Sequence, residues 1–307
     1  MGVFLAFFSQ RGERSVRRKL IFIAGIMIGF IFAAIASPQI AVRDDRGQLV
    51  VLRRSPRRII PLAPNLTETL YFLGLDKEVV GVTDMCDYPE GVEGKPHIGG
   101  FNPSVEKIVS LQPELILATR AGNRPEVVRR LEELGFPVMV TATHSIEGIF
   151  LSITKIGKVV GKEAIARQKV RRLKERAIEL RRRVKGLRRV RVLFLIWHDP
   201  AMAPGGDTFL NDLIRWAGGE SITAGERENI VRLTREEIVL RQPEVILAPP
   251  VASEWLEDSW RQWGSSLPAL IHNRVYSVDE SLVFRPGPRI VDGLEQVARL
   301  IHPEAFR

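Results

Sequence analysis

Glu106-Lys-Ile-Val-Ser-Leu-Gln-Pro-Glu-Leu-Ile-Leu-Ala118 returns 130 residues later as Glu236-Glu-Ile-Val-Leu-Arg-Gln-Pro-Glu-Val-Ile-Leu-Ala248, identical at nine of thirteen positions. Each copy reads as the end of a helix, a proline that stops it, and a short apolar strand, Leu115–Ala118 or Val245–Ala248. A single repeat at so long a period is not a solenoid, which needs three or more short units. It predicts two similar α/β lobes, and a cleft between lobes is a usual place for a small ligand.

Outward from the first copy, strand and helix signals alternate. Arg58–Leu62 predicts a strand, and Asn65 to Gly74 a helix closed by glycine, with Asn65 as N-cap and Glu68 completing a capping box. Val79–Val82 reads as a strand, Pro103–Leu111 as a helix, Pro125–Leu134 as a helix ended by Gly135, and Val138–Thr141 as a strand. This alternation predicts a mainly parallel sheet covered on both faces. From Ser145 to about Lys185 proline is absent, and apolar residues recur at steps of three and four (Ile146, Ile149, Ile153, Ile156, Val160; then Leu173, Ala177, Leu180, Val184). The spacing predicts one spine helix of about forty residues, about 60 Å long at 1.5 Å per residue. After Gly186 the second lobe is expected as strand Val190–Ile196, helices Thr208–Ala217 and Thr234–Arg241, and strand Val245–Ala248. Helix Ser253–Trp263, strand Arg274–Val278 and a closing helix from about Pro288 to Ile301 complete it.

A chain of 307 residues can hold two such lobes, and its 45% hydrophobic and 26% charged content is ordinary for a globular protein. The first 36 residues differ. A basic patch, Arg14 to Lys19, precedes the uncharged run Leu20–Ala36, and the small residues Ala34 and Ala36 stand before Ser37-Pro38. This is the pattern of an export segment, serving as a cleaved signal or as an uncleaved membrane anchor. It predicts a body outside the cytoplasm. The expected division is 1–36 as leader, 37–144 as first lobe, 145–186 as spine and 187–307 as second lobe. Cys86 is the only cysteine, so an intramolecular disulfide is excluded. Of the net charge of +9, the leader supplies +4, leaving +5 for the body. Much of that lies between Arg167 and Arg191 without interleaved aromatics, which argues for a solvated helix face and against nucleic acid as a partner.

Several segments together resemble one family. Arg58-Ile-Ile-Pro-Leu-Ala-Pro-Asn-Leu-Thr-Glu68, Asp87-Tyr-Pro89, Gly99-Gly-Phe-Asn-Pro-Ser-Val-Glu106, the paired repeat phrases, Ile196-Trp-His-Asp-Pro200 and Gly205 to Gly219 occur in the order and spacing of periplasmic substrate-binding proteins of ABC importers. The chain resembles the helical-spine class of these, in its cobalamin- and siderophore-binding group, and looks most like cobalamin binders. The resemblance implies α/β lobes with mainly parallel sheets on a spine helix, a non-enzymatic role, a monomer, and a permease dimer in the membrane as partner. It also implies that one exposed glutamate per lobe docks on permease arginines, here Glu106 and Glu236, with Glu237 adjacent as a competing assignment for the second. No cofactor is expected; the bound ligand would be a cobalamin or another corrinoid, with a ferric siderophore or heme as alternatives.

Residues at strand ends facing the other lobe should line the cleft. The expected ligand contacts are Asn65, Tyr88, Phe101, Arg120, Trp197, His198, Phe284 and Arg285. Aromatics dominate this set while forming 7% of the chain, and their flat faces suit a broad apolar ring. Each has a structural alternative, such as Phe101 and Phe284 plugging small satellite cores. The five histidines, His97, His144, His198, His272 and His302, show no metal-site spacing. His198 is the strongest candidate for a single axial ligand to heme iron or corrinoid cobalt. An exported hydrolase or transferase is the alternative from another class, although no nucleophile elbow, P-loop or dinucleotide fingerprint is present.

Overall fold

The computed structural model describes residues 39–250 and 267–307. The leader and the expected helix Ser253–Trp263 lie outside the described residues. Among those described, no helix is long and apolar enough to cross a membrane.

An antiparallel hairpin, β1 (Ile40–Arg43) and β2 (Leu49–Leu52), opens the described chain. The first lobe follows as β3 (Ile59–Pro61), α1 (Pro64–Phe72), α2 (Val105–Ser110), β4 (Leu115–Thr119), α3 (Pro125–Glu133) and β5 (Val138–Thr141). Its sheet is parallel throughout in the order β3-β4-β5. Every residue of β4 is buried, as a strand covered on both faces should be. Two helices, α4 (Ile146–Val159) and α5 (Glu163–Arg183), lead to the second lobe.

That lobe contains β6 (Val190–Phe194), β7 (Trp197–His198), β8 (Ala201–Pro204), α6 (Phe209–Trp216), β9 (Gly219–Ser221) and β10 (Ile230–Arg232). It continues through α7 (Arg235–Arg241), β11 (Val245–Ala248), α8 (Pro268–Ile271), β12 (Val275–Ser277), α9 (Glu280–Val283) and α10 (Ile290–Ile301). Its main sheet is parallel in the order β12-β11-β6-β9, and β10-β8-β7 form a small antiparallel sheet beside it. Two α/β lobes with mainly parallel sheets are therefore present, joined through a long helix.

The connection corrects the expectation of one forty-residue helix. Gly161 takes φ of +74°, and the Lys162 N–H donates to the Gly157 carbonyl at 2.6 Å, so α4 ends and the chain turns back. The two helices pack antiparallel. Lys174 on α5 reaches Glu147 on α4 at 2.6 Å and sits over the Phe150 ring, while a Cβ on Gly157 would meet that of Ala166 at 2.2 Å. The absent side chain at Gly157 is what allows so close a crossing. The spine is α5 alone, 21 residues and about 31 Å long. Ala166 near its start is buried in the first lobe with Val159 and Leu73, and Ala177 and Leu180 near its end are buried in the second with Leu294 and Val297.

Two further local readings are corrected. Val79–Val82 is not a strand: Val79 bridges Ile59 and Val82 bridges His97, so the segment crosses between partners without pairing long enough with either. Asn65 is not an N-cap and Glu68 closes no capping box. Helix α1 begins at Pro64 behind Ala63, which has no side-chain acceptor to act as a cap; proline suits the first helical position because its fixed φ is helical and it has no N–H to leave unpaired. Both side chains are used elsewhere.

The repeat phrase has a structural meaning in each lobe. Gln112 and Gln242 both adopt left-handed backbone, φ 45° and 47°, at the ends of α2 and α7. Arg58 donates to the Gln112 carbonyl at 3.1 Å, and Arg191 to that of Gln242 at 2.9 Å. The glutamate that follows the proline of each phrase then grips the neighbouring segment. Glu114 accepts the Arg57 N–H at 2.6 Å, and Glu244 accepts the Arg191 N–H at 3.1 Å and both terminal nitrogens of Arg188. The Arg188 hydrogen bonds lower the Glu244 pKa to about 2.

Candidate functional site

In a parallel sheet all strands present their carboxyl ends on one edge, and the loops leaving that edge form the natural ligand site. Here the two edges face one another. The walls of a cavity of about 650 Å³ come from the segments after β3, β4 and β5 on one side and after β6, β11 and β12 on the other. Leu62 to Asn65, Thr119, Ala121, Gly122 and Thr143 belong to the first lobe; Ile196, Trp197, Pro249, Phe284 and Arg285 are part of the second lobe's share. Asn123 ties two of these loops together, accepting from the Thr119 N–H at 2.8 Å and donating to the Leu62 carbonyl at 2.9 Å.

The wall is mostly apolar and aromatic. Phe101 is 70% exposed, carried on a loop that Gly99 turns with φ of +104°. Trp197 is 45% exposed; its indole N–H donates to the Asp199 carbonyl at 2.9 Å, and one ring face stacks on His198 at 4.9 Å. Phe284 is held edge-on by the buried Phe194, centroids 5.6 Å apart at 85°. Asn65, Phe101, Trp197, Phe284 and Arg285 thus meet in one cavity. Among the described residues its lining does not include Tyr88, Arg120 or His198. Tyr88 lies under the Arg289 guanidinium, 3.9 Å from the ring centroid, and His198 backs Trp197.

One side of the cleft is closed by a four-charge clasp between the lobes. Glu68, whose side chain is 2% exposed, accepts from Arg289 at 2.9 and 2.7 Å and from Arg285 at 3.2 Å. Arg285 also engages Asp87 with both terminal nitrogens, at 2.5 and 2.9 Å, and Arg289 reaches Ser281. The Asn65 amide donates across the same junction to the Pro286 carbonyl at 3.2 Å. The hydrogen bonds from Arg285 hold the Asp87 carboxyl below its usual range. Burial disfavours the charge on Arg285, but its bonds to Asp87 and Glu68 outweigh this and raise its pKa. Sequence reasoning missed Glu68 and Arg289 as site residues. The available signals were a glutamate among the apolar positions of α1, between Leu66 and Leu70, and arginines four residues apart.

The histidines do not converge. His97 contacts Asp84 at 3.2 Å, His144 contacts the Asp207 carbonyl, and His302 bridges Glu304 and the Gly218 carbonyl. Among the described residues, no group of three or more His, Cys, Asp or Glu could hold a metal ion. Glu106 and Glu236 are each the second residue of their helix, after N-caps Ser104 and Thr234, and both are exposed. Helices that precede parallel strands begin at the carboxyl edge, so both glutamates stand on the cleft side of their lobes. Glu237 is committed to a capping box, its carboxylate accepting the Thr234 N–H at 2.7 Å.

Residues 59–282 match the periplasmic binding protein family, and the chain belongs to it. A Bacillus subtilis relative, the uncharacterized ABC transporter substrate-binding lipoprotein YvrC, is 32% identical over 278 residues, covering 87% of each chain. Among solved structures, the periplasmic vitamin B12 binding protein BtuF of Vibrio cholerae superposes with a TM-score of 0.75 at 26% identity, over 82% of this chain and 99% of its own. The periplasmic heme-binding protein RhuT from Roseiflexus sp. RS-1 gives 0.73 at 25% identity, over 81% and 99%. The family consists of substrate-binding proteins, which work outside the cytoplasm and, in ABC importers, deliver a small-molecule ligand to the membrane permease.

Proposed function

We propose that the carrier takes a cobalamin or another corrinoid into the cleft between its lobes. The observation that supports this most directly is the character of the cavity wall. Aromatic side chains from both lobes, Phe101 facing Trp197 and Phe284, offer flat surfaces to a broad ring. Glu280 and Arg285 are the charged side chains in the described lining, and Arg285 is already engaged by two carboxylates. A wall with so little available charge suits a macrocycle fringed by neutral amides better than one bearing several carboxylates. Similarity to the vitamin B12 binding protein agrees with this reading.

Heme is the second reading, favoured by the likeness to the heme-binding protein. Absorption spectra separate the candidates: the protein is exposed in turn to cyanocobalamin, hemin and a ferric siderophore, then desalted. Retained corrin bands at one equivalent support the proposal. Retention of hemin or the ferric chelate alone overturns the ligand while leaving the carrier.

The leader, 1–36, is assigned as signal or anchor, 37–144 and 187–307 as the lobes and 145–186 as the connection. Glu106 and Glu236 are assigned as the permease-docking pair. Their equivalent positions in the first turn of each helix, their exposure, and the use of Glu237 in capping support this choice. Paired carboxylates on the two rims would set register and docking speed on a symmetric pair of guanidiniums.

A further inference from the structure

We propose that Glu68 is a specificity-determining residue of the cleft, acting by holding Arg285 and Arg289 out of reach of the ligand. This rests on the reading of the cleft as a site for a flat macrocycle. The clasp contains two carboxylates and two guanidiniums, so its formal charge is zero. Its only member on the cavity wall is Arg285, whose side chain is 18% exposed. The Arg285 terminal nitrogens already donate to Glu68, to Asp87 and to the Met85 carbonyl. Arg289 is bound by both oxygens of Glu68 and covers the Tyr88 ring.

Glu68 can do this because its fold position is buried. It projects from α1, between the leucines that pack the first lobe, toward the start of α10 in the second. A carboxylate there satisfies both arginines at once, and without it one positive charge of the quartet is uncompensated beside the cavity. In a half-buried wall that charge is only partly screened and attracts a carboxylate-bearing ligand, the more so at low salt. The same four residues therefore close the lobes together and keep the wall selective for ligands of low charge.

The test compares two probe macrocycles, hemin with its two propionates and cyanocobalamin without net charge, by absorbance titration. The wild-type protein is set against Glu68→Gln, Asp87→Asn, and the double variant Glu68→Gln with Arg289→Gln. Each single variant leaves one uncompensated positive charge, so the hemin-to-cobalamin affinity ratio should rise at least about tenfold and fall again with added salt. The double variant restores charge balance while the clasp stays broken, so its ratio should return toward wild type. An unchanged ratio in the single variants overturns the proposal, as does a gain that persists in the double variant, which would trace to loosened lobes. Asp87 has a side chain 65% exposed, so its variant decides the matter even if Glu68→Gln does not fold. Failure of cyanocobalamin to bind the wild type would reject the corrinoid reading alone, because the change in hemin affinity still reports the charge effect.

Discussion

Replacing Trp197 by alanine tests whether the cleft aromatics are ligand surfaces or incidental exposure. The indole is 45% exposed and fixed on its other side by the His198 stack and the Asp199 carbonyl. With a tryptophan side chain offering about 240 Å², roughly 110 Å² remains for a ligand to cover. At about 25 cal/mol per Å² this amounts to about 2.7 kcal/mol if wholly covered, and about half that if the ligand shields one face. Trp197→Ala should therefore weaken corrinoid binding by about tenfold to a hundredfold, since 1.4 kcal/mol is a factor of ten. Calorimetric titration of the wild type and variant reads this directly, and the melting temperature should hold because the ring supports no core cluster. Affinity within twofold of wild type would refute the reasoning and leave Trp197 as a surface side chain of β7.

Reversing both Glu106 and Glu236 to lysine should abolish uptake through the permease while ligand affinity is retained. Transport assays in which the double variant supports normal uptake would reduce the repeat to its structural role, and the docking should weaken with salt as rim charges are screened. Ligand binding should change the radius of gyration by less than about 1 Å, because α5 is rooted in both cores and the clasp joins the lobes; a larger contraction in small-angle scattering would reject this. Glu244 has a folded pKa of about 2 against an ordinary 4.5, so its stabilisation is present above about pH 4.5 and is lost as pH falls through 2. Glu244→Gln should accordingly cost about 1–2 kcal/mol at pH 7, a value discounted because Arg188 is 68% exposed, and close to nothing near pH 2. Denaturant melts at the two pH values check it; an equal cost at both would mean the loss is not electrostatic.

The alternation of strands and helices was legible in the sequence because each signal is local. Strand Val245–Ala248 and the helices after Ser104, Thr208 and Thr234 announce themselves through apolar runs and capping residues within a few positions. The repeat likewise foretold two lobes, since a sequence copied with its proline and glutamate repeats the same local geometry, down to the left-handed glutamines. The spine misled because helical periodicity persists through Val160 and across Gly161, and nothing in a 3.6-residue pattern distinguishes a straight helix from two that fold back. The turn comes from Gly161 in left-handed backbone together with the close packing of Gly157 on Ala166.

Membership of the cleft needed the whole fold. Phe101, Trp197 and Phe284 could be nominated as aromatics after strand ends, but which of the nominees share one cavity depends on how two sheets face each other. Tyr88 and His198 were turned aside by Arg289 and Trp197, respectively. Glu68 shows the limit most plainly. Read locally, it fits a capping box three residues after Asn65; in the folded chain its partners are 217 and 221 residues away. Local propensity fixes which segments are helix and strand, whereas a buried carboxylate is tolerated only where tertiary structure brings the arginines that compensate it.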